Sequence, residues 1–204
     1  MIEHITDIKK HFEGILDQRW SRTEVPGGEW EWLNIRWTGD GIRWAHLEEY
    51  TMTPKVHILH LVIMPELDNP TPIYGFDLIG LSGQMTGLFI DFTETGVPAP
   101  PATEYQFRDP RPRPDWAYFF SDHFVCVKPN EDELDHATQT LSTWLDIFDR
   151  SPRDQMFIDM VREKQYNYCI NQQQNDKTRK MLKAHIGQER ADQFVDEVLF
   201  PAGE

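Results

Sequence analysis

A carboxylate or an imidazole in the middle of an apolar, strand-like run is where this chain can do acid–base chemistry, and three consecutive runs carry one. Glu48 sits in Trp44-Ala45-His46-Leu47-Glu48, His60 in His57-Ile58-Leu59-His60-Leu61-Val62-Ile63-Met64, and Asp77 in Ile73-Tyr74-Gly75-Phe76-Asp77-Leu78-Ile79. Burying an ionisable group without a partner is costly, so a segment built for a core carries one only where something offsets that cost. A carboxylate and an imidazole at hydrogen-bonding distance titrate as a coupled pair whose proton affinity is tuned by burial. Such a pair suits a site that delivers protons near neutral pH.

The elements that must position these groups can be read from periodicity. Ile5, Ile8, Phe12, Ile15 and Leu16 have helical spacing, which predicts a helix over 5–18. From Glu29 to Glu94 the pattern changes to strands at about 29–38, 42–50, 55–64, 72–80 and 84–94. The connections Gly39-Asp40-Gly41, Thr53-Pro54, Asp68-Asn69-Pro70 and Gly80-Leu81-Ser82-Gly83 are too short for crossover helices, so neighbouring strands pair antiparallel in a meander. Residues 96–114, with six prolines, read as an extended loop. A strand is expected at 123–127, then helices over 132–148, 152–171, 175–186 and 188–200, the third capped by Asn175-Asp176. Helices on both sides of an antiparallel sheet make an α+β, three-layer α/β/α sandwich, here a single domain over residues 1–204.

Side chains alternate across a strand. His60 therefore shares a face with Val56, Ile58, Val62 and Met64, Glu48 with Trp44 and His46, and Asp77 with Ile73, Gly75 and Ile79. In a meander these strands adjoin, so the three groups can converge on one face, and Gly75 leaves room for a flat ligand beside Asp77. A metal site built from His46, His57 and His60 is disfavoured, because His57 and His60 have opposite parity.

Composition narrows the function classes. A net charge of −14 argues against a general binder of nucleic acid or anionic membrane. No apolar run approaches the ~20 residues of a membrane span, and Met1-Ile2-Glu3-His4 does not open like a signal peptide. The two cysteines, Cys126 and Cys169, are not in CxxC spacing and make no internal iron–sulfur or thiolate zinc site. The chain reads as cytoplasmic.

Ala45-His46-Leu47-Glu48, eleven residues, His60, then Pro65-Glu66 and Gly75-Phe76-Asp77 together resemble the ferredoxin-dependent bilin reductases. The run from Tyr168 to Arg179, with Asn175-Asp176-Lys177-Thr178-Arg179, is similar to that family's late helical motif. Val198-Leu199-Phe200 resembles its ending, and Trp116 with Phe119-Phe120-Ser121 the segment before its last strand. The likeness covers roughly residues 29–200.

The resemblance implies four-electron reduction of biliverdin IXα to a phycobilin, through bilin radicals. Electrons come singly from a [2Fe–2S] ferredoxin, with no metal or flavin bound by the enzyme itself. It implies that Asp77 protonates or hydrogen-bonds the bilin, that His60 holds and relays that proton, and that Glu48 serves the D-ring vinyl group with His46 nearby. Asn175 and Asp176 lie on the opposite side of the pigment; Lys177 and Arg111 meet the propionates, with Arg108 or Arg113 able to replace Arg111, and Thr86 stands near a propionate. Docking of an acidic ferredoxin calls for a local basic patch, from Lys177, Arg179, Lys180 and Lys183 with Arg111 and Arg113. Having Glu48, His60 and Asp77 together favours phycocyanobilin as product, phycoerythrobilin being the other reading. A monomer is expected. A non-catalytic bilin carrier or lyase-like protein, and an oxidoreductase for another flat substrate, remain as alternatives.

Overall fold

The computed structural model describes residues 2–53, 55–100 and 107–203. Helix α1 (Ile2–Arg19) turns its apolar stripe inward, with Ile5, Phe12 and Leu16 fully buried. The chain then lays down strands β1 (Ser21–Thr23), β2 (Leu33–Gly39), β3 (Ile42–Thr53), β4 (Val56–Pro65), β5 (Ile73–Leu81) and β6 (Gln84–Thr93). Strands β7 (Pro110–Arg111) and β8 (Val125–Val127) follow. All lie in one sheet of order β1-β2-β3-β4-β5-β6-β8-β7, every neighbouring pair antiparallel.

Alternation sorts the sheet into two faces. Leu47, Leu61, Tyr74, Phe76 and Ile90 point one way, into a core closed by α1 and by α2 (Glu131–Arg150), which contributes Leu141 and Trp144. Asn130 caps α2 by accepting from the Glu133 amide. Trp44, Val62, Met64 and Ile73 point the other way. They pack under α3 (Ile158–Gln173), α4 (Asp176–Ile186), α5 (Gln188–Gln193) and a π-helical segment, Phe194–Leu199. The fold is thus the α+β, three-layer sandwich expected. No helix among the described residues is long and apolar enough to cross a membrane.

Four differences from the sequence expectation have physical reasons. The first strand of the meander starts at Leu33 rather than 29, because Gly27 and Gly28 at positive φ and the indole bond from Trp30 to the Pro26 carbonyl hold a loop there. Residues 21–23, too short to show a period, pair with β2. The proline-rich stretch contains β7, where Pro110 is tolerated because it lies at the sheet edge. The helices expected over 152–171 and 188–200 each break into two pieces, a 3-10 turn (Gln155–Phe157) before α3 and the π-helical segment after α5.

Gly41 closes the β2–β3 hairpin at φ 82°, and a Cβ there would stand 2.5 Å from the Phe148 ring of α2. Both the conformation and the space exclude a side chain. Gly41→Ala is expected to lower unfolding free energy by about 1–3 kcal/mol in urea denaturation; an unchanged midpoint would contradict this packing.

Candidate active site

Register places the three polar strand residues in one cross-strand row. Glu48 stands opposite His60, and His60 opposite Asp77. The row continues to Asn34 on one side and to Phe89 on the other. His60 Nδ1 lies 2.9 Å from Asp77 Oδ1, a hydrogen bond from imidazole to carboxylate. Glu48 and His60 are buried, whereas the Asp77 side chain keeps 23% of its exposure.

These groups form the floor of a cavity of about 320 Å³. Its walls are apolar: Ile58 and Ile79 from the sheet, Phe89, Trp116 and Phe120 at one side, Met181 and Phe200 from the helical layer. Tyr168, Gln172, Asn175 and Lys177 also reach it. At Gly75 an added Cβ would meet Tyr168 and Asp91 only at ordinary contact distances, 3.6 and 3.7 Å. The fold does not demand glycine there; its absent side chain keeps the floor flat.

The electrostatics are those of a shared-proton site. Burial pushes the Glu48 carboxyl up to about 7; His60 opposes that rise and Asp77 adds to it. Burial alone would strip His60 of its proton, but the Asp77 carboxylate, by charge and hydrogen bond, together with Glu48, raises its affinity above that of a free imidazole. His60 Nε2 and Gln172 Nε2 are buried on cavity-lining residues and have no hydrogen-bond partner among the described residues. Buried polar groups rarely stay unpaired, so both are available to a ligand.

Residues 16–201 match the family described as ferredoxin-dependent bilin reductase. The chain belongs to that family. It is 32% identical over 177 residues to phycocyanobilin:ferredoxin oxidoreductase of Trichodesmium erythraeum, covering 78% of this chain and 71% of the relative. The Prochlorococcus marinus enzyme of the same name is 30% identical over 180 residues, with the same coverage. Among solved structures, PcyX superposes with a TM-score of 0.71 at 24% identity, over 98% of this chain and 99% of that one. Tomato phytochromobilin synthase, solved in complex with biliverdin, gives 0.69 at 14% identity, over 97% and 82%. Both show the same fold. As a bilin reductase the protein is an oxidoreductase.

Within this bilin reductase the residues expected from sequence are spread more widely than the cavity. Glu48, His60, Asp77, Asn175 and Lys177 line it. Asn175 also caps α4, accepting from the Lys177 and Thr178 amides, and Lys177 Nζ sits 4.2 Å above the Trp116 ring. His46 is wholly buried beside the row and does not line the cavity; its Nε2 is 3.0 Å from Asn34 Oδ1. Asp176, 79% exposed, faces solvent beside Lys180, because the first residue of α4 is turned out by the cap. Thr86 is exposed on β6 and donates to the Ile79 carbonyl. Arg111 is exposed on β7, opposite Cys126 and beyond the wall of the cavity. Arg108 pairs with Asp132, and the Arg113 guanidinium is taken up by the carbonyls of Ala117, Phe120 and Ser121. The expected basic patch shrinks likewise, since Arg179 is bound by Asp192 and Asp196. His57 faces away from the row and pairs with Glu49.

Sequence reasoning gave no role to Tyr168, Gln172, Phe89, Met181 or Asp91. Tyr168 and Gln172 are one helical turn apart on α3, and that spacing was the signal available. Asp91 is buried, and its carboxylate takes the Ser121 hydroxyl, the Ser121 amide and the Thr93 hydroxyl. It thereby pins the segment that presents Phe120 to the cavity.

The raised Glu48 carboxyl has a stability consequence. Between its ordinary value of 4.5 and about 7 the folded protein holds a proton that the unfolded chain has lost, so stability falls as pH rises through that window. Glu48→Gln should remove this loss: by denaturation, the variant gains on wild type from pH 5 to pH 7.5 by up to about 3 kcal/mol. Parallel pH profiles would show that Glu48 is not perturbed.

Proposed function

We propose that this protein reduces biliverdin IXα by four electrons to phycocyanobilin, the electrons arriving one at a time from a reduced [2Fe–2S] ferredoxin. The observation that carries the reading is the hydrogen-bonded His60–Asp77 pair, with Glu48 alongside, on the floor of an apolar cavity. A bilin is a flat, largely apolar pigment with two carboxylates at one edge. It calls for apolar walls with a few placed polar groups. Exposed Lys177 at the mouth supplies a cation for a propionate.

Each electron added to the pigment raises the basicity of its nitrogen and oxygen edge, so a proton must follow. His60 passes its proton to the Asp77 carboxylate across the 2.9 Å hydrogen bond, and Asp77 hands it on to the pigment. Glu48, whose carboxyl keeps its proton up to about pH 7, serves the D-ring vinyl group. The pigment itself shuts water out of the floor, so the one-electron intermediates are bilin radicals that meet only these donors. Asn175, and Asp176 once released from Lys180, act from the helical side; Arg111 and Thr86 meet the propionate edge only if the pigment extends past the cavity wall. The reaction is placed on a single domain, residues 1–204, acting as a monomer in the cytoplasm, where the thiols of Cys126 and Cys169 stay reduced.

Anaerobic incubation with biliverdin IXα, reduced ferredoxin and a regenerating system, followed by absorbance and chromatography, tests this reading. Wild type is expected to give phycocyanobilin, and Glu48→Gln to stop with the D-ring vinyl group unreduced. Phycoerythrobilin from wild type would move the product within the family. Binding without turnover would favour a bilin carrier, and no binding would end the bilin reading.

A further inference from the structure

We propose that Asn34, on β2 and outside the pigment cavity, is a positioning residue: its side chain fixes His46 in the Nε2–H tautomer and leaves His46 Nδ1 as an acceptor beside His60. The proposal rests on the reductase reading for its effect on turnover, but not for its effect on the tautomer.

The orientation of the Asn34 amide follows from chemistry. Its Nδ2 lies 3.0 Å from the Trp32 carbonyl oxygen, which can only accept. Oδ1 is therefore the atom turned to His46, 3.0 Å from Nε2. A carbonyl oxygen cannot donate, so His46 Nε2 carries the proton. In a neutral imidazole the other nitrogen then holds a lone pair. His46 is wholly buried, and that burial, with His60 and Arg36 nearby, keeps it neutral.

His46 Nδ1 and His60 Nε2 are both buried, and neither has a hydrogen-bond partner among the described residues. The two rings are diagonal neighbours on one face, since His46 stands opposite Val62 and Glu48 opposite His60. An acceptor in that position favours a protonated His60, whose other nitrogen is already held by Asp77. The opposite tautomer would withdraw that acceptor and weaken His60 as a proton store. Asn34 thus acts on the reaction through His46. It is half-buried, in the wall of a surface cleft formed by residues 23–34 and separate from the pigment cavity.

The test uses full-length protein labelled with 15N-histidine, with His46 assigned by the signal lost in His46→Gln. Long-range proton–nitrogen correlation should show wild-type His46 as a single Nε2–H tautomer. Asn34→Leu should lose it, and kcat with biliverdin and reduced ferredoxin should fall roughly tenfold or more, with KM changed less than about twofold. Asn34→Gln, which keeps an amide acceptor, should restore the Nε2–H signal and most of the rate. An Asn34 that merely ties β2 to the Trp32 loop would move neither tautomer nor kcat. A wild-type Nδ1–H signal, or full kcat in folded Asn34→Leu, overturns the proposal; if Asn34→Leu does not fold, the wild-type spectrum and Asn34→Gln decide it. A wild type that reduces no biliverdin counts against the reductase reading, while the tautomer continues to test Asn34.

Discussion

The hydrogen bond from His60 Nδ1 to Asp77 Oδ1 makes it possible to keep an imidazole and two carboxylates on one face of a packed sheet. Without Asp77, His60 would be a buried base whose desolvation favours the neutral form; with it, His60 binds its proton more tightly than a free imidazole. That bound charge in turn restrains the rise in Glu48, which burial alone would push further. Each member of the row thus sets the proton affinity of the next. The arrangement is sensitive to register, because a slip of one residue would send one member to the opposite face.

The two layers that cover the sheet are unequal in purpose. Leu61, Phe76 and Ile90 meet α1 and α2 in a continuous apolar core, which fixes the register of β3, β4 and β5. On the other face the helical layer packs over Trp44, Val62 and Met64 but leaves the Glu48–His60–Asp77 end of those strands open to the cavity. One face supplies stability, and the other spends part of its contact area on a binding slot. Asp91 and Ser121 do similar service at the rim, holding the turn that presents Phe120.

Much of this was legible in the sequence, for identifiable reasons. The meander could be read because the runs of β2 to β6 are rich in apolar and β-branched residues and short polar turns join them, so strand parity brought Glu48, His60 and Asp77 to one face. The Asn175 cap could be read because its chemistry is local. What lay beyond reach depended on tertiary packing. Nothing local says that Arg113 spends its donors on three backbone carbonyls, or that Arg108 turns to Asp132. Parity on one strand likewise says nothing of which helix covers it, so Tyr168 and Gln172 stood out only as part of a familiar helical run, without a role at the site. Asn34 carried no signal of its own in its strand, because its partner lies across the sheet.

The central claim, that Asp77 hands protons to a bound bilin, is tested most directly by Asp77→Asn loaded with biliverdin and given reduced ferredoxin under anaerobic conditions. Electron paramagnetic resonance and absorbance would follow the bound pigment. The account predicts that pigment still binds, accepts one electron and stalls as a radical, because the amide cannot supply the proton that must follow. Turnover of Asp77→Asn to product at the wild-type rate would contradict it.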